Sequence, residues 1–256
     1  MIDQSLLETQ RKSLENLPPQ AVLAWAAMTY GVDVVFATSL GAEDQVLTHL
    51  IGTSDFSIDA FMLDTGRLFE ETYSLLEKTR ATYPMAIRVY FPDAFEVETA
   101  VNAHGPNFFR EKVAWRQRCC AIRKVAPLKR ALAGRKAWVT GLRRDQSTTR
   151  GDLQVLEWDA SNEMVKINPL WNWTTEDVWA FIRDHGVPYN ELHDQGFPSI
   201  GCAPCTRAVG PDEDLRAGRW WWELPEQKEC GLHWENGKLV RNKKVQPDPL
   251  LEEVSP

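Results

Sequence analysis

The 256-residue chain has only five cysteines, no long hydrophobic run and a shortage of positive charge. Its longest apolar stretches, Ala21 to Met28 and Val32 to Ala37, fall far short of the roughly 20 residues needed to cross a bilayer. The first 20 residues carry charges and two prolines where a signal peptide has an apolar core. A soluble, cytoplasmic protein with no membrane partner is therefore expected. With 29 Lys and Arg against 36 Asp and Glu, the net charge is −7, which argues against non-specific affinity for nucleic acid. Also missing are the G-x-x-x-x-G-K-[ST] that grips a triphosphate, the S-G-G-x-D-S of ATP pyrophosphatases and the G-x-G-x-x-G of dinucleotide-binding folds. Any nucleotide would be bound without ATP hydrolysis.

What is present is a globular composition, 43% hydrophobic and 25% charged, sufficient for a sizeable core. Residues 3–17 and 20–29 read as two helices broken at Pro18-Pro19. The runs Val32–Ala37, Ile58–Leu63, Ala86–Phe91 and Ala137–Thr140 read as strands buried on both faces. Helical stretches near 43–52 and 67–80 separate the first three, the pattern of a doubly wound, mostly parallel α/β sheet. Further strands are expected at Leu153–Glu157 and Met164–Ile167, and Thr174 with Asp177 has the spacing of a capping box. Residues 186–225, rich in Gly and Pro, read as ordered loops. The expected organisation is one domain over 1–235, including N-terminal helices in 1–29, and a mobile tail over 236–256.

The cysteines divide as four plus one. Cys119 and Cys120 are adjacent, Cys202 and Cys205 form a C-x-x-C, and Cys230 stands alone. Two pairs about 80 residues apart can meet to offer four thiolates to Zn²⁺ or an iron–sulfur cluster. Adjacent cysteines diverge by about 100° on a helix, which suits a centre larger than one ion. Around them, residues 116–130 hold Arg116, Arg118, Arg123, Lys124, Lys129 and Arg130 and no acid. Blander readings are two buried core thiols for the first pair and a redox dithiol for the second. Cys230 lies between Lys228 and His233, which can favour a nucleophilic thiolate while the adjacent Glu229 opposes it; an exposed, inert thiol is the blander reading.

In open α/β sheets, ligands bind beyond the carboxyl ends of the strands. Three loops there are polar: Thr38-Ser39-Leu40-Gly41 before a helix, Asp64-Thr65-Gly66-Arg67, and Gly141 to Arg150 with three arginines. Each alone is a common cap, turn or solvated loop. Together they can supply polar groups for an adenosine and guanidinium forks for phosphate-like oxygens.

At this point the set resembles one family, the thioredoxin-dependent adenylyl-sulfate (APS) and phosphoadenylyl-sulfate (PAPS) reductases of assimilatory sulfate reduction. The motifs are S-L-G-A-E-D (39–44), L-D-T-G-R (63–67), C-C-A-I-R-K (119–124), G-L-R-R-D-Q-S (141–147), G-C-A-P-C-T-R (201–207) and K-E-C-G-L-H (228–233). Leu40 replaces a common Phe, and Thr148-Thr149 stands where many members have Pro-Thr. The resemblance implies an adenine nucleotide alpha hydrolase-like (PP-loop) sheet and a loop-rich C-terminal part carrying an iron–sulfur cluster. It implies that Cys119, Cys120, Cys202 and Cys205 ligate a [4Fe–4S] cluster and that Cys230 is the nucleophile. By the same carry-over, Lys124, Arg216, Arg219 and His233 hold the phosphosulfate. Ser39, Gly41, Leu63, Asp64, Gly141, Arg143, Arg144 and Arg150 belong to the nucleotide loops. Family members with the four cluster cysteines use APS, so APS, thioredoxin and sulfite are the implied reactants, in cysteine biosynthesis. The alternatives are PAPS or dual-substrate reduction, a zinc-binding structural module and a tRNA-thiolating pyrophosphatase relative. Homo-oligomerisation stays open, as does the role of the 11 tryptophans.

Overall fold

The computed structural model describes residues 4–146 and 150–223, together with 234–235 and 238–239. Helices α1 (Gln4–Leu14) and α2 (Pro19–Tyr30) come first; Pro19 opens α2, where its missing N–H has no partner to lose. Alternation then begins with β1 (Val34–Thr38), α3 (Ala42–Gly52), β2 (Asp59–Leu63), α4 (Glu70–Thr82) and β3 (Ile87–Tyr90). After these come α5 (Ala94–His104), α6 (Val113–Cys120), α7 (Ala126–Leu132) and β4 (Ala137–Val139). The antiparallel pair β5 (Leu156–Asp159) and β6 (Met164–Ile167) and the helix α8 (Thr175–His185) complete the main body. A short hairpin, β7 (Trp234–Glu235) with β8 (Lys238–Leu239), follows.

The six strands lie in the order β3-β2-β1-β4-β6-β5, parallel from β3 to β6 with β5 antiparallel at the edge. Period-two alternation explains why both faces are covered. Val34 and Phe36 face a large core with Leu23, Val46, Leu47, Val139, Ile167 and Val178. Val35 and Ala37 face a smaller one with Phe61, Leu128, Leu132 and Met164. Strand order reverses at β1 and β4, so their carboxyl ends open a crevice at the topological switch point. The expected doubly wound, mostly parallel architecture is the one observed.

One strand begins later than the sequence suggests: β5 runs from Leu156, three residues beyond the expected Leu153. Leu153 and Val155 spend their carbonyls outside the sheet, on Arg144 Nε (2.7 Å) and Asn168 N (2.9 Å). The turn then fixes the register, because Asp159 accepts from Ser161 N and Asn162 N at 3.0 and 3.1 Å. The capping box of α8 is as expected, Thr174 Oγ1 accepting from Asp177 N (3.1 Å) while Thr174 N donates to the Asp177 carboxylate (2.8 Å). Among the described residues no helix is long and apolar enough to cross a membrane.

Between α6 and α7 the helix widens into a π turn over Ala121–Val125. Pro127 has no N–H to give the Arg123 carbonyl and its ring would crowd that oxygen, and a π bulge relieves both. The bulge follows Cys120 directly and carries Arg123 and Lys124, both of which line the crevice.

Candidate active site

The crevice at the switch point is a cleft of about 440 Å³. Its first wall is the loop after β1. Leu40 adopts a left-handed backbone (φ 59) that a branched side chain tolerates poorly. Leu40 is held there by complete burial and by its N–H donating to Thr38 Oγ1 at 3.0 Å. Ser39 N and Ser39 Oγ both donate to Asp44 Oδ2 at 2.6 Å, tying the loop to the first turn of α3.

Burial of Asp44 pushes its carboxyl up to about 6, outweighing the two Ser39 hydrogen bonds, with Glu43 adding and Lys124 opposing. The native state thus holds this proton more tightly than the unfolded chain. The associated stability is fully present below the ordinary carboxylate pKa and is lost as pH rises through about 6. Two pH units correspond to roughly 3 kcal/mol. Denaturant titrations should show the wild type losing stability relative to Asp44→Asn between about pH 4 and 6, with a constant difference above that window. A difference independent of pH would refute the buried-acid assignment.

The second wall is the loop after β2. Asp64 accepts from Gly66 N (2.7 Å) and Tyr73 Oη (3.0 Å), so its carboxylate is engaged in holding the turn. Gly66 is left-handed (φ 69), and a Cβ there would come within 3.3 Å of the Arg123 guanidinium. That guanidinium donates to the Thr65 carbonyl at 2.7 Å. Thr65 Oγ1 in turn lies 3.2 Å from Cys202 Sγ.

The third wall starts at Gly141. Arg143 is buried and donates to Glu43 at 2.7 Å, with Asp145, the Trp173 carbonyl and Thr175 completing its fork. Arg144 turns away from the cleft, donating to the Leu153 carbonyl while its guanidinium lies 4.2 Å from the Trp171 ring centroid. Arg150 lines the cleft and meets Gln146.

The cysteine pairs come together at the same cleft. Cys119 and Cys120 end α6, and Cys202 and Cys205 flank a single 3₁₀ turn in which Cys205 N donates to the Cys202 carbonyl (2.9 Å). None of the four is in a disulfide; all are half-buried and line the cleft. Burial pushes the Cys205 thiol up to about 12, and Cys202, Cys120 and Cys119 add to the effect. Cys119 is raised by burial against the pull of Arg123 and Arg67. Among the described residues no three His, Cys, Asp or Glu side chains form a site for a single metal ion. The fit to a cofactor rests instead on donor chemistry. Neighbouring cysteines oppose the ionisation of Cys119 and Cys205, and the four thiols together would be satisfied as soft ligands of a shared cationic centre.

The structure thus gathers Ser39, Gly41, Leu63, Gly141, Arg143, Arg150, Lys124, Arg216, Arg219 and the four cysteines around one cleft. Asp64 and Arg144, expected among the nucleotide loops, act as braces behind it. Cys230 and His233 lie outside the described residues. Sequence reasoning missed Arg116, Trp220 and the role of Asp44. Arg116 and Asp44 stood inside quoted segments, but nothing in their spacing signalled burial.

The phosphoadenosine phosphosulfate reductase domain family matches residues 33–208. The chain belongs to this family. An adenosine 5'-phosphosulfate reductase of Allochromatium vinosum is 58% identical over 200 residues, 78% of each chain. One of Sinorhizobium fredii is 47% identical over 230 residues, covering 89% of this chain and 92% of that one. Among solved structures, the phosphate complex of a PAPS reductase from Candida auris superposes with a TM-score of 0.71 at 32% identity, over 82% of this chain and 98% of that one. Yeast FAD synthetase, at 15% identity and a TM-score of 0.53, shares the fold alone. The chain is an oxidoreductase of the PAPS reductase domain family, as its sequence motifs imply.

Proposed function

We propose that the protein reduces adenylyl sulfate to sulfite and AMP with thioredoxin as donor, through an S-sulfocysteine on Cys230. The observation that carries this reading is the meeting of four thiols from two distant segments at the rim of a cleft already lined by nucleotide loops and arginines.

The Cys230 thiolate attacks the sulfur of the phosphosulfate; the S–O bond breaks, and AMP leaves with the electron pair. Lys124, Arg216 and Arg219 neutralise the oxygens on which charge grows, the main electrostatic contribution to the step. A thiolate of reduced thioredoxin then attacks Cys230 Sγ, expelling sulfite and forming a mixed disulfide. The second thioredoxin thiol resolves it, so the two thiols supply both electrons and Cys230 returns as a thiol. Cys119, Cys120, Cys202 and Cys205 would hold a [4Fe–4S] cluster. That group supplies a compact local charge beside the cations of the cleft. Its role there would be structural and electrostatic, since the two thioredoxin thiols already account for both electrons.

Anaerobically purified protein is expected to be yellow-brown, with equal amounts of iron and acid-labile sulfide, and to release sulfite from adenylyl sulfate with reduced thioredoxin. Zinc in place of iron would overturn the cofactor assignment. A kcat/KM higher for phosphoadenylyl sulfate than for adenylyl sulfate would instead make the chain a PAPS reductase, like the C. auris neighbour.

A further inference from the structure

Arg116 is the largest fully buried side chain in the described structure, and it is ionic. Its Nε and Nη2 donate to Glu223 Oε1 and Oε2 at 2.9 and 2.8 Å, with side chains 0% and 2% exposed. It also hydrogen-bonds Cys120. A buried ion pair is a poor source of stability, since apolar residues of the same volume commonly do as well or better. Its geometric effect is larger, because each partner is confined to one place by the other.

What it confines is Trp220. The Arg116 guanidinium carbon lies 4.6 Å from the Trp220 ring centroid, and that of Arg219 lies 4.9 Å from it. Trp220 is buried and left-handed (φ 40), a conformation that persists only where surroundings impose it. Trp220 N donates to the Cys205 carbonyl (3.0 Å), and Glu223 N donates back to the Trp220 carbonyl (2.8 Å). Next to it, Arg219 reaches the cleft, donating to Ser199 Oγ (3.2 Å) and the Ile200 carbonyl (3.3 Å). It packs so tightly on Gly201 that a Cβ there would sit 2.3 Å from its Nη2. A long, rotamer-rich cation is thereby held in one pose before any ligand arrives, which is what preorganised anion binding requires.

We propose that Arg116 and Glu223 are a positioning pair: by clamping Trp220 they set where Arg219 stands to receive the anionic end of the nucleotide. This rests on the adenylyl-sulfate reading for the ligand, though not for the clamp itself.

The test is a double-mutant cycle on full-length, cluster-loaded protein in a Cys230→Ser background, which binds adenylyl sulfate without consuming it. Glu223→Gln is expected to weaken the nucleotide Kd about tenfold and Arg219→Ala about a hundredfold, with the double variant no worse than Arg219→Ala alone. A purely structural Glu223 would give additive losses, roughly a thousandfold in the double variant, and that result overturns the proposal. Iron and sulfide are measured on every variant; an affinity loss that appears only where iron is lost also overturns it. Should Glu223→Gln fail to fold, Arg116→Lys keeps the charge but loses the fork. Hydrogen exchange over residues 216–223 in nucleotide-free protein should then be faster than in wild type, and unchanged exchange refutes the clamp. A wild type that binds no adenylyl sulfate sinks the functional reading, while the exchange measurement still decides the clamp.

Discussion

Cys230→Ser is expected to abolish sulfite release, by roughly three orders of magnitude or more, while leaving nucleotide affinity within about twofold. The asymmetry follows from what each atom does. Binding is carried by the three loops at the carboxyl ends of β1, β2 and β4 and by the cleft cations, none of which the substitution touches. Bond making is carried by a thiolate, and a serine hydroxyl, some five pH units or more harder to ionise, cannot replace it. Chain connectivity makes the role feasible: Glu223 is anchored to Arg116, and the seven residues on to Cys230 reach at most about 25 Å. Labelled substrate without thioredoxin should leave sulfonate on Cys230 in the wild type and none in the variant. Undiminished turnover by Cys230→Ser would refute the mechanism and move the nucleophile elsewhere.

The sheet was legible from the chain because its parallel strands are covered on both faces and so appear as short, mostly apolar runs. Val34–Thr38, Asp59–Leu63 and Met164–Ile167 fall within two residues of their expected bounds. The strand β5 was less legible because Leu153 and Val155 are apolar without being paired; their carbonyls serve Arg144 and Asn168. The helices after β3 were also hidden. The run from Val113 to Leu132 is basic, contains two cysteines and a proline, and passes through a π turn, so its periodicity is broken.

The site was legible in its chemistry and not in its division of labour. Loop residues were found because polar groups after buried strands stand out. Which arginines face the cleft depends on tertiary partners that lie far away in sequence. Arg144 stacks on Trp171 and leaves the cleft, whereas Arg143, braced by Glu43 a hundred positions earlier, stays. Arg116 looked like one more cation of a basic run until Glu223, 107 residues on, was seen to neutralise it in the interior.

One tight constraint on the cleft is steric, and Gly141→Ala is expected to cost about a hundredfold or more in nucleotide affinity. A Cβ at Gly141 would stand 2.3 Å from Asp44 Oδ1, 3.1 Å from Glu43 Cβ and 3.3 Å from the Asp44 backbone nitrogen. None of these neighbours yields cheaply. The other oxygen of Asp44 accepts both Ser39 hydrogen bonds at 2.6 Å, so rotating the carboxyl releases the β1 loop. Glu43 holds Arg143 at 2.7 Å, so displacing α3 loosens the third wall as well. One methyl group therefore disturbs two of the three loops that form the cleft, whereas the general cost of overpacking to the fold is only about 1–3 kcal/mol. Calorimetric titration with adenylyl sulfate, alongside a thermal melt, separates the two effects: affinity should fall far more than stability. Because the clash is with the Asp44 carboxyl, shortening that side chain in Gly141→Ala/Asp44→Ser should restore the melt toward wild type without restoring affinity, since Ser39 would still lack its acceptor. Affinity within about twofold of wild type in Gly141→Ala would show that the β1 and β4 loops are not locked together through Asp44.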